Sequence, residues 1–388
     1  MNNFVSLDPE ASVRTTYSAA AASPVPALCC PVQYDPRLLE AVPAEVLERD
    51  YGCGDPTQWI HADETVLDLG SGGGKGVFLA AQVVGPKGKV IGVDMNEDML
   101  ALARRSAPAF ARAVGFHNVK FLKGRIQDLA LDLDKLDTWL GGHPVRCAAD
   151  LGALEAEQAR LRSSQPLVRT ESVDVVVSDC VLNLVRPEDK AAMFREIHRV
   201  LRRGGRAVIS DIVSDVDVPP HLQADPELWT GCISGAMRED LFLQAFIDAG
   251  MYGAQILKRD EQPWRTVEGV EFRSVTVVAY KGKEGACWDH KQAVIYKGPF
   301  REVHDDDGHR LVRGLPVAVC AKTFEIYGRA PYADHFERIE PRVPVPAEEV
   351  RPFPCGVDML IRSAAERKGE GHDETTEGGA LCTTPGCC

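Results

Sequence analysis

Between Thr65 and Tyr280 the chain reads as short apolar runs separated by segments of helical periodicity. Val66, Leu67 and Leu69 make a continuous apolar run, the pattern of a buried parallel strand. A glycine-rich turn follows at once, and Val77 to Gln82 opens a helix. Gly88 to Asp94 is a second strand that ends in an acid. Asn96 caps a helix from Glu97 to Val114, with Met99, Leu100, Ala103, Phe110 and Val114 on one face. Val119–Lys123, Val173–Ser178 and Arg206–Ile212 supply three more strands. Lys190–Leu201 is an amphipathic helix stopped by Gly204-Gly205, and Glu239–Ala249 is another helix. Phe272–Tyr280 alternates as a late antiparallel strand would. Strands alternating with helices predict an α/β fold: a Rossmann-like parallel sheet with an antiparallel last strand.

The flanks read differently. Residues 1–45 form an N-terminal extension, with a poorly ordered start and a helix over Pro36 to Arg49. The main domain spans 46–283. Within it 131–170 is a long charged insertion, in which Leu151 to Arg162 reads as an exposed, peripheral helix. Gln292–Tyr296 and Leu315–Phe324 read as strands of a small β-rich domain over 284–345. From about Pro341 proline, glutamate and glycine dominate. Residues 346–388 read as a disordered tail that ends Cys382-Thr-Thr-Pro-Gly-Cys387-Cys388.

The glycine turn carries the first chemistry. A strand, a turn of small residues and a helix N-terminus let the backbone approach a nucleotide and offer it unpaired N–H groups. A dinucleotide fingerprint counted from Gly70 fails, because its third glycine falls at Lys75. A P-loop fails because Gly76 follows Lys75. The pattern acid-x-G-x-G-x-G, formed by Asp68, Gly70, Gly72 and Gly74, resembles the first motif of class I S-adenosylmethionine-dependent methyltransferases. Asp94, 20 residues past Gly74, is placed to accept both ribose hydroxyls. The expected cofactor contacts are Asp68, Gly70, Ser71, Gly72, Asp94 and Met95, with Arg125 and Ile126 in an adenine-contacting loop and Asp179 beside the fourth strand.

Composition narrows the partners. In 388 residues, 45% hydrophobic and 26% charged content is ordinary for a globular protein. A net charge of −13 and a pI near 5.3 speak against nucleic acid and acidic membranes. No apolar run approaches membrane-spanning length, and residues 1–24 lack the apolar stretch of a secretory signal. The expected compartment is the cytoplasm, where 12 cysteines stay reduced and point to metal binding or catalysis.

Three cysteines stand where ligands gather on such sheets. Cys180 follows the fourth strand, at a carboxyl end; Cys53 and Cys232 lie in flanking loops. Their spacing is too long for a zinc finger. Their surroundings are Tyr51-Gly-Cys-Gly, Ser178-Asp-Cys-Val-Leu-Asn-Leu184 and Gly231-Cys-Ile-Ser-Gly-Ala236. With Leu67-Asp-Leu-Gly-Ser-Gly and the stretch around Gln292–Tyr296, they resemble the arsenite methyltransferases from about residue 27 to the final Cys-Cys. The resemblance implies that Cys53, Cys180 and Cys232 bind trivalent arsenic, and that Cys29 or Cys30 pairs with Cys53. It implies arsenite or methylarsenite as substrate and a thiol reductant, thioredoxin or glutathione, as partner. The chain departs from the family at Asp179, where asparagine is usual, and in an insertion longer than that of the animal members.

The chemistry suits these residues. Trivalent arsenic is thiophilic, so three thiolates replace its hydroxides and leave a lone pair to attack the sulfonium methyl in line. No general base is needed, and positioning can supply roughly 7–11 kcal/mol of the barrier. Thiolates form most readily near positive charge or a helix N-terminus. Two rivals remain at this stage: a class I methyltransferase acting on another small molecule, with Asp179 as base, and a soft-metal-sequestering protein with a relic nucleotide fold. His290, His304 and His309 around Asp305–Asp307 read as a solvated acidic turn. Cys387-Cys388 reads as a prenylation signal, an arsenite-capturing pair or a chance tail. Cys147, Cys287, Cys320 and Cys355 carry no assignment.

Overall fold

The structure, a computed structural model, describes residues 9–23, 25, 34–49, 51–52, 54–356 and 359–369. It divides into two compact units, Met1–Gly282 and Lys283–Cys388.

In the first unit the helices are α1 (Pro9–Ala22), α2 (Pro36–Leu39), α3 (Ala44–Leu47), α4 (Lys75–Val84), α5 (Glu97–Val114), α6 (Leu133–Gly142), α7 (Ala148–Ser164), α8 (Pro187–Val200), α9 (Pro220–Gln223), α10 (Pro226–Thr230) and α11 (Glu239–Asp248). The strands are β1 (Thr65–Leu69), β2 (Lys89–Asp94), β3 (Val119–Lys123), β4 (Val173–Asp179), β5 (Leu201–Ser214), β6 (Met237–Arg238), β7 (Tyr252–Arg259), β8 (Arg265–Val267) and β9 (Val270–Tyr280). They form one sheet in the order β3-β2-β1-β4-β5-β9-β7, with β6 on β5 and β8 on β9. The strands from β3 to β5 run parallel, and β9 runs antiparallel to β5 and β7. The chain order reverses between β1 and β4, and the strand ends there open onto a crevice, the usual ligand position in open α/β sheets.

Apolar side chains cover both faces of the sheet. Phe78, Phe110 and Phe121 pack with Val66, Val90 and Val177 on one face. On the other, Phe194, Phe242 and Phe246 pack edge to face with one another in a cluster that includes Val176 and Ile209. Asn96 caps α5 by accepting from the amides of Asp98 and Met99, as its position predicts.

Two expectations for this unit need correction. Pro36–Arg49 is not one helix, because Pro43 lacks an amide hydrogen and the chain breaks into α2 and α3 around it. The extension holds a further helix, α1, which composition concealed. The insertion folds as α6 and α7 around Leu131, Leu136 and Leu161.

The second unit contains β10 (Trp288–Asp289), β11 (Ala293–Tyr296), β12 (Glu302–His304), β13 (Arg310–Val312), β14 (Pro316–Ala318), α12 (Ala321–Ile326), β15 (Phe336–Ile339), β16 (Arg351–Pro352) and α13 (Ala364–Lys368). Strand β11 is central, between β14 and β15. The expected strand over Leu315–Phe324 is thus β14 followed by α12. The expected disorder from 346 is not met for 347–356 and 359–369. Strand β16 pairs with β10, and the buried Arg362 bonds to Asp289 at 2.6 Å. The acidic turn satisfies itself: the Asp305 carboxylate accepts from the His309 amide and from the Tyr327 hydroxyl, and Lys283 pairs with Asp307.

Candidate active site

The turn after β1 is shaped by its glycines. Gly70 has φ +69°, and a Cβ there would lie 2.3 Å from the Val181 side chain; Gly72 has φ +50° and faces open space. The amides of Gly70 and Ser71 donate to Val93 O at the end of β2, at 2.8 and 3.1 Å. Asp94 locks the turn from the same strand end, accepting from the Gly72 amide and the Asn96 amide, each at 2.8 Å.

Here the strand ends open into a cavity of about 1350 Å³, counting the part that meets solvent. Asp68, Gly70, Ser71, Gly72, Asp94, Met95, Ile126 and Asp179 all line it. Asp68 is buried and accepts no hydrogen bond among the described residues, and burial together with the charge of Asp94 pushes it up to about 8. Burial also raises Asp94, opposed by the amides it accepts from. The Ser71 hydroxyl is buried without a partner. An unpaired buried acid and an unpaired buried hydroxyl beside an open glycine turn are groups that await a polar, positively charged ligand. The fit to S-adenosylmethionine is therefore good: a hydroxyl-accepting acid, a cation-accepting acid and a backbone that permits close approach.

Arg125 is the exception among the expected contacts. Its guanidinium turns away to pair with Glu10 at 2.9 Å, and its neighbours Ile126 and Gln127 line the cavity instead. Glu10 belongs to α1, within the stretch expected to be a poorly ordered start. Glu10, Val13, Arg14 and Tyr17 of α1 line the cavity, and Asn96 Nδ2 donates to Arg14 O and Ser18 Oγ, each at 3.1 Å. A signal did exist: Val13, Tyr17, Ala20 and Ala21 follow i, i+4, i+7, i+8, an apolar stripe. Ala20, Ala21 and Met99 meet there, with Tyr17 and Tyr51 packed against them.

A smaller recess of about 260 Å³, again counting the part that meets solvent, adjoins this one, sharing Tyr17, Tyr51 and Cys180 and adding Thr230, Cys232 and Trp264. Cys180 follows β4 and Cys232 follows α10, and both are buried. The Cys232 thiol donates to Cys180 O at 3.1 Å. Both cysteines hold left-handed backbone, φ +55° and +60°, a costly conformation for a side chain with a Cβ. Cys180 is disulfide-bonded, whereas the expected compartment alone predicted reduced cysteines. Cys29, Cys30 and Cys53 lie outside the described residues.

A buried polar network fixes the two cysteine loops to each other. Asn183 Nδ2 donates to Asp211 Oδ1 at 2.8 Å, to Ile212 O at 2.6 Å and to Cys232 O at 3.3 Å. Asp211 also accepts from the Leu182 amide at 2.8 Å, and burial raises it to about 6. Lys190 donates to Gly235 O, and burial lowers it to about 8 against the pull of Asp211 and Cys232. Lys190 thus brings the positive charge that favours a thiolate near Cys232. Sequence reading passed over it as a polar position on an amphipathic helix. Tyr17 reaches the same thiol, and its hydroxyl stays protonated because burial and the nearby Cys232, Asp94 and Asp211 raise it well above its ordinary value.

The sheet order, the glycine turn and the acid at the end of β2 define a class I S-adenosylmethionine-dependent methyltransferase. Residues 60–165 and 146–261 match the model of a methyltransferase domain, and 283–372 match a domain of unknown function. An arsenite methyltransferase from Aquipseudomonas alcaligenes is 31% identical over 329 residues, 80% of this chain and 84% of that protein. One from Mus musculus is 28% identical over 393 residues, 98% of this chain and 93% of that protein. The solved structure of an arsenic(III) S-adenosylmethionine methyltransferase from Chlamydomonas reinhardtii covers 83% of this chain and 99% of its own, with 30% identity and a TM-score of 0.53. The chain belongs to the arsenite methyltransferases. No described helix is long and apolar enough to cross a membrane.

Proposed function

We propose that this protein methylates trivalent arsenic held by Cys53, Cys180 and Cys232, with Cys29 or Cys30 as a redox partner. The observation that carries the reading is the contact between Cys232 and Cys180 at a cavity wall shared with the cofactor cavity. When bound, S-adenosylmethionine supplies an electrophilic methyl group on a sulfonium. Asp94, Asp68, Ser71 and the Gly70–Gly72 backbone hold it, and α1 limits the access of water from the opposite side. The two cysteine loops, tied through Asn183 and Asp211, keep the thiolates at fixed spacing, which is where positioning does its part. Arsenic is its own nucleophile through its lone pair, so the site needs no general base, and Asp179 need not act as one.

Bond formation through the lone pair leaves arsenic oxidised by two electrons. Two cysteine thiols that become a disulfide return those electrons and release two protons. The disulfide at Cys180 is then an oxidised form of the site, and one thioredoxin dithiol or two molecules of glutathione reset it by exchange before arsenic binds. The test is direct: protein, S-adenosylmethionine, thiol and arsenite are incubated, and methylated arsenic is sought by chromatography with element detection. Absence of product with thiol present overturns the reading.

A further inference from the structure

The cofactor cavity and the cysteine recess share three of the described lining residues: Cys180, Tyr17 and Tyr51. The two tyrosines come from distant parts of the chain, Tyr17 from α1 and Tyr51 from the segment after α3. Their rings meet edge to face, with centroids 6.1 Å apart and planes at 79°. Both hydroxyls are engaged by the backbone. The Tyr51 hydroxyl donates to Ala20 O at 3.0 Å and accepts from the Val25 amide at 3.3 Å. The Tyr17 hydroxyl donates to Thr230 O at 3.4 Å, two residues before Cys232. What the pair brings to the junction is therefore mainly ring surface.

Helix α1 is anchored on both sides of Tyr17. Towards its start, Glu10 pairs with Arg125 at 2.9 Å and accepts from Gln127 at 3.2 Å. Around and beyond Tyr17, Asn96 Nδ2 donates to Arg14 O and Ser18 Oγ, and Arg49 donates to Ala22 O at 3.2 Å. The ring is thus held in place before any ligand arrives. A methyl group that passes from the cofactor cavity to Cys180 and Cys232 has to cross this junction. The group starts on a sulfonium, whose positive charge spreads over the neighbouring carbons and hydrogens. An aromatic ring attracts such a cation and gains nothing of the kind from a neutral thioether of nearly the same shape.

We propose that Tyr17 is a specificity-determining residue for the methyl donor: its ring recognises the sulfonium and separates the charged donor from its neutral product. The inference rests on the proposed function, which sets the direction of transfer. In that transfer the S–CH3 bond breaks, its electron pair stays on sulfur, and the As–CH3 bond forms from the arsenic lone pair. The positive charge leaves with the methyl group, so Tyr17 no longer favours what remains, S-adenosylhomocysteine. Asp68, Asp94 and Asp179 line the same cavity and also favour a cation. They stay in place in every variant below, so their share does not change.

The experiment uses the full reduced chain without arsenic. S-adenosylmethionine and S-adenosylhomocysteine are each titrated by calorimetry into the unaltered protein, Tyr17→Phe and Tyr17→Leu. Loosening of α1 weakens both ligands alike, so the ratio of the two affinities is the readout. Tyr17→Phe keeps the ring and should keep the ratio. Tyr17→Leu should weaken S-adenosylmethionine by about 3- to 30-fold more than S-adenosylhomocysteine. An unchanged ratio in Tyr17→Leu overturns the proposal, and so does a ratio lost in Tyr17→Phe. Methylation of arsenite by the unaltered protein is assayed separately. Absence of methylated arsenic there sinks the arsenic reading and leaves the affinity ratio to be judged by itself, so the two failures are distinguishable.

Discussion

The Cys232 thiol donates to the backbone carbonyl of Cys180, so the side chain of one cysteine is aimed at the main chain of the other. The two loops approach closely enough that a Cβ on Gly235 would sit 1.9 Å from Asn183 O. Replacing either cysteine with serine should abolish methylation of every trivalent arsenical while S-adenosylmethionine still binds. A hydroxyl is too hard and too weakly acidic to stand in for a thiolate. Turnover by either variant, with cofactor affinity confirmed by calorimetry, removes that cysteine from the arsenic site.

Inorganic arsenite has three exchangeable ligands, and methylarsenite has two. On the proposed reading Cys180 and Cys232 are the pair that persists, and Cys53 is the third arm. Cys53→Ser should lose activity on inorganic arsenite and keep much of it on methylarsenite. Equal behaviour on the two substrates contradicts this order of ligand loss.

Asp94 accepts from Gly72 and Asn96 and keeps further lone pairs for ribose hydroxyls. Asp94→Ala should weaken S-adenosylmethionine by about 1.5–3 kcal/mol, or roughly ten- to a hundredfold. Titration calorimetry reads the change, and an unaltered affinity takes Asp94 out of the site.

Asp68 titrates near 8 in the folded protein against 3.8 as its ordinary value. The folded state therefore holds this proton longer than the unfolded state does, and stability falls as pH rises from about 4 to about 8. Thermal melts of the cofactor-free protein should decline over that range more steeply than those of Asp68→Asn. A cationic ligand favours the ionised acid, so cofactor binding at pH 7 should release a proton. Calorimetric heats should then differ between buffers of different ionisation enthalpy, and the difference should vanish in Asp68→Asn. Heats independent of buffer in the unaltered protein contradict the assignment.

Arg362 is buried and bonded to Asp289, and Ile361 bridges to Val317. A chain ending at 345 should lose the cooperative melting of its C-terminal unit, whereas one ending at 369 should retain it. Equal melting curves show that the segment contributes nothing to stability.

The parallel sheet was legible because its strands are apolar on both faces and each ends in a turn signal. The acid at the end of β2 was legible because a fixed distance from the glycine turn places it. What escaped reading depended on partners remote in sequence. Arg125 is engaged by Glu10, 115 positions away. Residues 359–369 are held through a pair 73 positions apart, and no local pattern announces it. Helix α1 was hidden by alanine and serine, whose small side chains look like low complexity but let the helix lie close on α5. Nothing in the helical pattern singles out Lys190, because a lysine seldom stays buried; a carbonyl and a buried acid keep it there. The cysteine positions were legible through their neighbouring residues, whereas the left-handed backbone at two of them was not.

That backbone sets folding against chemistry at Cys180 and Cys232. Glycine would relax both positions, each by an amount on the order of 1 kcal/mol. A library randomised there and sorted for folded protein alone should drift toward glycine. The same library grown under arsenite should return to cysteine. Any branch of this fold released from arsenic exposure would thus be expected to shed its two sulfurs early.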